Sequence, residues 1–488
     1  MNISKLWELP DVVVKKFDAS CPGNVIDITI CAWDPDTLLS PMVMTRDLHM
    51  MAARRVMILA AALLVNATVR GDEIGPGDDL EAAIGRLSPG GELLLRGGIY
   101  QFDQNVTITA VGTSNSPITI RAKDGERVTF SQATTNHNVV EINASAYLII
   151  RGIEFVGGSQ GIRLINSDFV TIEQCEIHDV GDVAISANSG GTYEGLIIRQ
   201  NHIHHTNDTG EGMYLGCNSD GCRVANSIIE DNYIHHTNQP SVTQGDGIEL
   251  KEGSYGNVIR NNVIHDTNYP GILTYSTVGN GPPNIIEGNV VWNSGDNTVQ
   301  MAADVVFRNN IVLGNVSLQA HQAGSPSNMQ IVHNTIINSG TALQVRNVTG
   351  PVVIANNAIY SESRAIDLIS GALGQVTLAG NVGSGGVAGA STGYKEGNGL
   401  STDFTAAHYN GAPPIDLFPS TGSALIRAGA SPYLTPLDFN GSQRGTNADS
   451  GAYRFDAAGN PGWIIRPGFK DRIQGGIAPQ PPQALRAN

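Results

Sequence analysis

RQNHIHHTN (residues 199–207), EDNYIHHTN (230–238) and RNNVIHDTN (260–268) are successive copies of one phrase, an Asn followed at the second position by Ile inside a β-branched run. The phrase extends in both directions as EQCEIHD (173–179), EGNVVWN (287–293), RNNIVLGN (308–315), VHNTIIN (332–338), ANNAIY (355–360) and AGNVG (379–383). Taking Cys175, Asn201, Asn232, Asn262, Asn289, Asn310, Asn334, Asn357 and Asn381 as equivalent, the steps run from 21 to 31 residues. Periods of this length, with no room for a helix between β-rich runs, specify a β-solenoid whose coils bury one another's apolar faces. Asn suits the repeated corner because it tolerates left-handed backbone and its amide can bond to its equivalent one rung away. The column of Asn is therefore expected to be a structural ladder rather than a site.

A solenoid grows by adding rungs, so 488 residues are compatible with one long domain. Gly at 57 residues and charged residues at only 15% fit short strands joined by tight turns. The net charge of −16 excludes a basic stripe for nucleic acid. It also means that a polyanionic substrate would need a local positive group or a bound cation.

Residues 1–49 read as a doubtful N-terminal extension. Residues 50–71, where Met51-Ala-Ala-Arg-Arg55 precedes VMILAAALLV, have the charged start and short apolar stretch of a secretory signal. That stretch is too short to span a bilayer, and the expectation is a secreted, periplasmic or cell-surface monomer without a stable membrane span. Residues 72–399 are assigned to the solenoid. Within them, 79–100 read as a capping amphipathic helix, a Pro-Gly turn and a first strand, which would close the open end of the coil. Residues 400–488, Pro-rich and less periodic, are assigned to a C-terminal cap and wrap, with a disordered end from Gly475. Cys217 and Cys222 flank an Asn-Ser-Asp-Gly turn and are expected to form a disulfide; Cys175 reads as a buried filler.

The helix-turn-strand opening, the Asn-Asn-x-Ile rungs and the closing TPLDFNGSQRGTNADSGAYRF (435–455) resemble the right-handed parallel β-helix proteins of the pectate-lyase-like superfamily. The resemblance implies an all-β right-handed coil. It does not decide the activity, since the superfamily includes lyases, glycoside hydrolases, uronan epimerases and proteins without known chemistry.

A second strand follows the Asn ladder in three rungs, as Gly212-Met-Tyr-Leu-Gly216, Gly247-Ile-Glu-Leu-Lys251 and Gly271-Ile-Leu-Thr-Tyr275. Alternation points Ile248 and Leu250 inward and Glu249 and Lys251 outward, with Tyr214 beside Glu249 and Tyr275 beside Lys251. The longest coil steps place the loops 205–222 and 237–246 as walls of a groove over this patch. The phrase GIELKEGSYGNVIRNNVIHDT (247–267) resembles the chondroitinase-B and alginate-lyase family, which implies Lys251 as base with Glu249 at its acidic position. Where that family has an Arg on the next rung, this chain has Leu273-Thr-Tyr-Ser276, so Tyr275 would take a different role.

β-Elimination on a uronic acid needs a group to neutralise the carboxylate, a base for the proton beside it and an acid for the leaving oxygen. Lys251, Tyr275 and Glu249 are the catalytic candidates. Tyr214, Glu211, His205, His236 and Arg260 are the candidates for substrate binding. Asp208, Glu211, Asp220, Asp246 and Glu249 gather on the same rungs, and an oxygen-only set of this kind suits Ca²⁺, with Asp246 and Glu249 as its candidate ligands. The column His178, His204, His235 and His265 follows the ladder period and reads as a stacked repeat rather than a metal site. The expected function is cleavage of an acidic polysaccharide by a lyase. A polygalacturonase-like hydrolase, a uronan epimerase and a non-catalytic carbohydrate-binding solenoid are the alternatives.

Overall fold

The computed structural model describes residues 72–411, 413–446 and 448–471. The extension and signal assigned to 1–49 and 50–71, and the tail from Gly475, lie outside them. The strands stack as three parallel ladders running the length of a coil, one strand of each ladder per rung. The first ladder has thirteen strands, from Asp72–Ile74 to Val376–Ala379. The second runs from Gly98–Phe102 to Tyr394–Glu396, and the third from Val106–Ile108 through the far half of Ala358–Leu368 to that of Asn381–Ala388. Every strand pair within the ladders is parallel, as a coil that always turns the same way requires.

The apolar alternation sets the interior. Ile177, Ile203, Ile234 and Ile264 are register partners in succession and fully buried, and Val291, Val312 and Ile336 continue the column. Each shields the one above, so no rung buries its own core alone. The helix Leu80–Ile84 caps the first rung, with Asp79 accepting from the Ala82 N–H and Leu80, Ala83 and Ile84 buried.

The Asn ladder occupies the corner between the first and second ladders. In each rung the backbone N–H and the side-chain amide both donate to the Oδ1 of the next Asn, as from Asn232 to Asn262 at 3.0 and 2.9 Å. The amide also donates to a carbonyl of the preceding rung, as from Asn262 to Ile229 at 3.0 Å. Cys175 starts the column by donating its N–H to Asn201. One part of the reading is corrected: the left-handed residue is the one before each ladder Asn, with φ of 56° at Gln200, 54° at Asp231 and 56° at Asn261. A second, shorter column at the corner between the third and first ladders links Leu196 to Ser227, Ser227 to Asn257 and Asn257 to Asn284.

After Glu396 the chain leaves the coil. Phe404, Phe418, Phe439, Tyr453, Trp463 and Ile465 form an apolar layer against Val263, Val290, Ile311, Ala358 and Val382, which face out of the second ladder. The C-terminal wrap thus covers the later rungs of the second ladder. No helix among the described residues is long and apolar enough to cross a membrane.

Candidate active site

The strands Ile185–Ala187, Met213–Leu215, Ile248–Leu250, Ile272–Thr274 and Val299–Met301 follow one another in the third ladder. Gly212, Gly247 and Gly271 lead into three of them. A Cβ on Gly247 would lie 2.5 Å from the Gly271 carbonyl and from Ile264, so stacking at this distance needs glycine. The glycines fix the register, which sets Tyr214 opposite Glu249. Tyr275 donates its N–H to the Leu250 carbonyl at 3.1 Å and so stands beside Lys251.

Outside the coil these side chains close into a triangle. Lys251 Nζ lies 2.8 Å from Glu249 Oε1 and 3.1 Å from the Tyr275 hydroxyl, which itself donates to Glu249 Oε1 at 2.9 Å. The ammonium also sits 4.5 Å from the centre of the Tyr275 ring and 5.1 Å from that of Tyr214. Although they point out of the coil, these side chains are withdrawn from water: Glu249 is 2% exposed, Lys251 4% and Tyr275 2%. His321, in the turn 321–324, closes one side with its ring 4.9 Å from that of Tyr275. A pair so withdrawn from water depends on geometry that leaves few groups unpaired. Burial, and then the charge of Glu249, push the Tyr275 hydroxyl well above the ordinary tyrosine range. Burial likewise lowers His321, with the positive charge of Lys251 adding to it.

Three carboxylates converge beside the triangle. Glu211 and Asp246 each precede a stacked glycine, so the register sets them one rung apart, and with Glu249 their oxygens lie within 4.8 Å of one another. Glu211 accepts from the Thr209 hydroxyl at 2.7 Å through one oxygen. Its other oxygen, both oxygens of Asp246 and Oε2 of Glu249 are buried without a hydrogen-bond partner. Burial pushes Glu211 up to about 7, and it raises Asp246 well above the carboxylate range, with Glu249 and Glu211 adding to the latter. Buried orphan oxygens at this density must be met by protons or by a cation. An oxygen-only donor set fits a hard cation of the Ca²⁺ kind. Glu211 therefore groups with Asp246 and Glu249, not with a substrate-binding wall.

The other candidates lie elsewhere. His205 and His236 stack on each other at 4.9 Å at the ends of two successive second-ladder strands, within an array of imidazoles. Arg260 belongs to the outer face of the first ladder, where it is buried and pairs with Glu230 at 2.7 Å in a column that includes Arg308 with Glu287. Cys217 and Cys222 are joined by a disulfide across a Cα–Cα distance of 4.8 Å, which ties the end of the 205–222 loop. His321 and Glu252, which accepts from the Ser219 N–H, were not singled out from the sequence. Neither belongs to the repeat, and no periodic signal marks them. Two surface cavities, of about 340 and 580 Å³, are lined by residues 77–81 with 100–106 and by a set including Trp292, Tyr409 and Pro467; neither is lined by Lys251.

Comparison with known proteins agrees with this architecture. A family model described as the Pel9A-like, right handed beta helix region matches residues 65–339. Pectate lyase L of Paenibacillus polymyxa is 26% identical over 318 residues, which are 60% of this chain and 65% of that protein. Pectate lyase PEL9 of Emericella nidulans is 27% identical over 135 residues, 26% of this chain and 33% of its own length. The chain thus matches less than two thirds of either curated relative. The crystal structure of pectate lyase Pel9A aligns at 14% identity and a TM-score of 0.48, covering 80% of this chain and 98% of that one.

Proposed function

The chain belongs to the Pel9A-like right-handed β-helix family, and from that premise we propose that it is a polysaccharide lyase cleaving a uronic-acid-containing glycan, pectate foremost, by β-elimination. The observation that carries the reading is the contact of Lys251 with Glu249 and Tyr275 beside three converging carboxylates. Lys251 in its uncharged amine form is the base that takes the proton α to the uronate carboxyl, the C–H electron pair forming the double bond as the leaving oxygen departs. Tyr275, held protonated by burial and by Glu249, has no phenolate to act as base, and its hydroxyl beside Lys251 is the proton source proposed for the leaving oxygen. Glu249 fixes both groups through one oxygen and so orients the pair.

Glu211, Asp246 and Glu249 would hold the hard cation, which when bound supplies positive charge for the substrate carboxylate. That arrangement would reconcile an acidic protein with an acidic glycan. The three carboxylates lie closer together than the roughly 6.5–9.5 Å that an inverting hydrolase leaves for its water, which disfavours an inverting, polygalacturonase-like hydrolase. Glycan entry requires the His321 turn to open, since the triangle is nearly closed from solvent. Export belongs to the same proposal, supported by the charged and apolar run at 51–65 and by the disulfide.

The test is incubation with a panel of uronans, following the ultraviolet absorbance of the unsaturated product. The expected outcome is a rise on at least one uronan that Lys251→Ala loses by a factor of at least about 10² while circular dichroism shows that the coil is still folded, at a lower melting temperature because Glu249 is left unpaired. Wild-type turnover in Lys251→Ala would remove the base assignment. Reducing ends without absorbance would point to hydrolysis.

A further inference from the structure

The outer face of the second ladder carries an array of imidazoles. His178, His204, His235 and His265 stack face to face at 4.8, 5.1 and 5.2 Å and end on Trp292 at 4.3 Å. One period of one residue type explains that column. It does not explain His202, which stands outside the column and directs Nδ1 to Glu176 on the neighbouring rung.

We propose that Glu176 Oε1, His202 Nδ1 and His204 Nε2 form a binding site for a divalent transition-metal ion of the Zn²⁺ class, distinct from the acidic cluster near Lys251. Register places Glu176 opposite His202, and His204 follows two residues on along the same strand, so all three face outward. The Glu176 oxygen is 3.4 Å from His202 Nδ1 and 3.3 Å from His204 Nε2, and the three atoms lie within 4.8 Å of one another. These separations are long for a charge-assisted hydrogen bond, which closes to about 2.7–2.9 Å. They match the edge of a tetrahedron with metal–ligand bonds of about 2.0–2.1 Å, which is about 3.3–3.4 Å.

The far nitrogens of the two ligand rings are also provided for. His202 Nε2 lies 2.8 Å from His235 Nε2, and His204 Nδ1 lies 2.7 Å from His205 Nδ1. His235 Nδ1 in turn lies 2.5 Å from His236 Nδ1. One proton per ring satisfies the whole set: His202 donates to His235, His235 to His236 and His204 to His205, which leaves the two nitrogens facing Glu176 bare for a metal. Outer hydrogen bonds of this kind fix the tautomer of metal-ligating imidazoles. Two imidazoles and one carboxylate select Zn²⁺, Cu²⁺ or Ni²⁺ over Ca²⁺ and Mg²⁺. The Glu176 and His202 side chains remain 40% and 30% exposed, so an ion can reach them. The other His-containing carboxylate group, Glu154 with Glu176 and His178, is a poorer site because Glu154 is already engaged by Arg127 and Thr129.

The test is calorimetric titration of the tag-free full chain, stripped with chelator, with Zn²⁺ alone, alongside the visible spectrum of the Co²⁺ form. The expected result is one ion per chain with a tetrahedral Co²⁺ spectrum. Glu176→Gln and His204→Gln should each weaken Zn²⁺ by at least about tenfold, and His235→Gln by about 10- to 100-fold through the outer hydrogen bond. Millimolar Ca²⁺, which suits the oxygen-only carboxylate cluster, should leave this Zn²⁺ uptake unchanged. Circular dichroism and melting identify any variant that fails to fold, and Glu176→Gln, a half-exposed isostere, keeps the test open if a His variant does. No Zn²⁺ uptake by the wild type, or uptake unchanged in Glu176→Gln and His204→Gln, would overturn the site.

Discussion

Glu211 shows how much one side chain's surroundings decide. Its ordinary carboxylate value of 4.5 is raised in the folded protein to about 7, chiefly by burial. Between those values the folded state holds a proton that the unfolded chain has released, so without a cation stability falls as pH rises from about 4.5 through about 7. A cation that binds the ionised cluster must show the opposite trend, gaining affinity over the same window. Melting curves in chelator and in millimolar Ca²⁺, from acid to neutral pH, should therefore diverge as pH rises. Glu211→Gln should flatten the first curve and remove most of the gain from Ca²⁺; curves that stay parallel to neutral pH would count against the cradle. The alternation of Ile248, Glu249, Leu250 and Lys251 was legible in the sequence, as was the neighbourhood of Tyr214 and Tyr275. Their burial was not, because the turn bearing His321 comes from a rung about 70 residues downstream that carries no repeat signal. Glu211 was legible as one of the acidic residues gathered on these rungs, but not its convergence with Asp246, with which it shares the place before a stacked glycine.

At the scale of the strand and corner, repetition made the structure readable. The Asn-x-Ile phrase marks both the ladder and the inward Ile, and one period set both in every rung. The corner residue before each Asn escaped because Gln, Asp, Asn, His and Gly all occupy it, so left-handed backbone there has no single residue signature. Arg260 was misplaced for a related reason: a charged residue two before the ladder Asn is at the end of a first-ladder strand, where it meets Glu230 rather than substrate. The ladder itself can be tested at Asn262. Replacing it with Ala orphans the Asn232 N–H, one of that residue's amide hydrogens and the Ile229 carbonyl, all buried. At about 1–3 kcal/mol per orphaned group, Asn262→Ala should lose roughly 3–9 kcal/mol by chemical denaturation. A loss below about 1 kcal/mol would show that the column adds little beyond the apolar stack.

Across the whole molecule, the coil was predictable and its wrapping was not. The sequence indicated a C-terminal cap but not which face it covers, since the contacts join residues more than a hundred positions apart. Arg444 is the clearest of them. Buried at 1% exposure, it donates to the carbonyls of Gly451, Ala452 and Tyr453 and reaches Asn309 Oδ1 on the coil at 3.0 Å. Arg444→Met keeps the volume but leaves those acceptors unmet, at a cost on the order of 3 kcal/mol for several charge-assisted bonds. The expected result is faster proteolysis within 400–471 while the core 72–399 stays protected. Uniform digestion of the whole chain would mean instead that wrap and coil unfold as one unit.

The column of carboxamides also has a kinetic consequence. Side-chain amide hydrogens of Asn ordinarily trade with solvent deuterium almost at once, because nothing holds them. From Asn201 to Asn357 each amide nitrogen donates to a carbonyl and to the next Asn, and the residues are fully buried. Their exchange must then wait for the coil itself to open. In a nitrogen-detected spectrum of the protein in heavy water, these carboxamide signals should persist alongside the slowest backbone amides. Because they sit one per rung, the order in which they fade would record the end from which the coil unwinds.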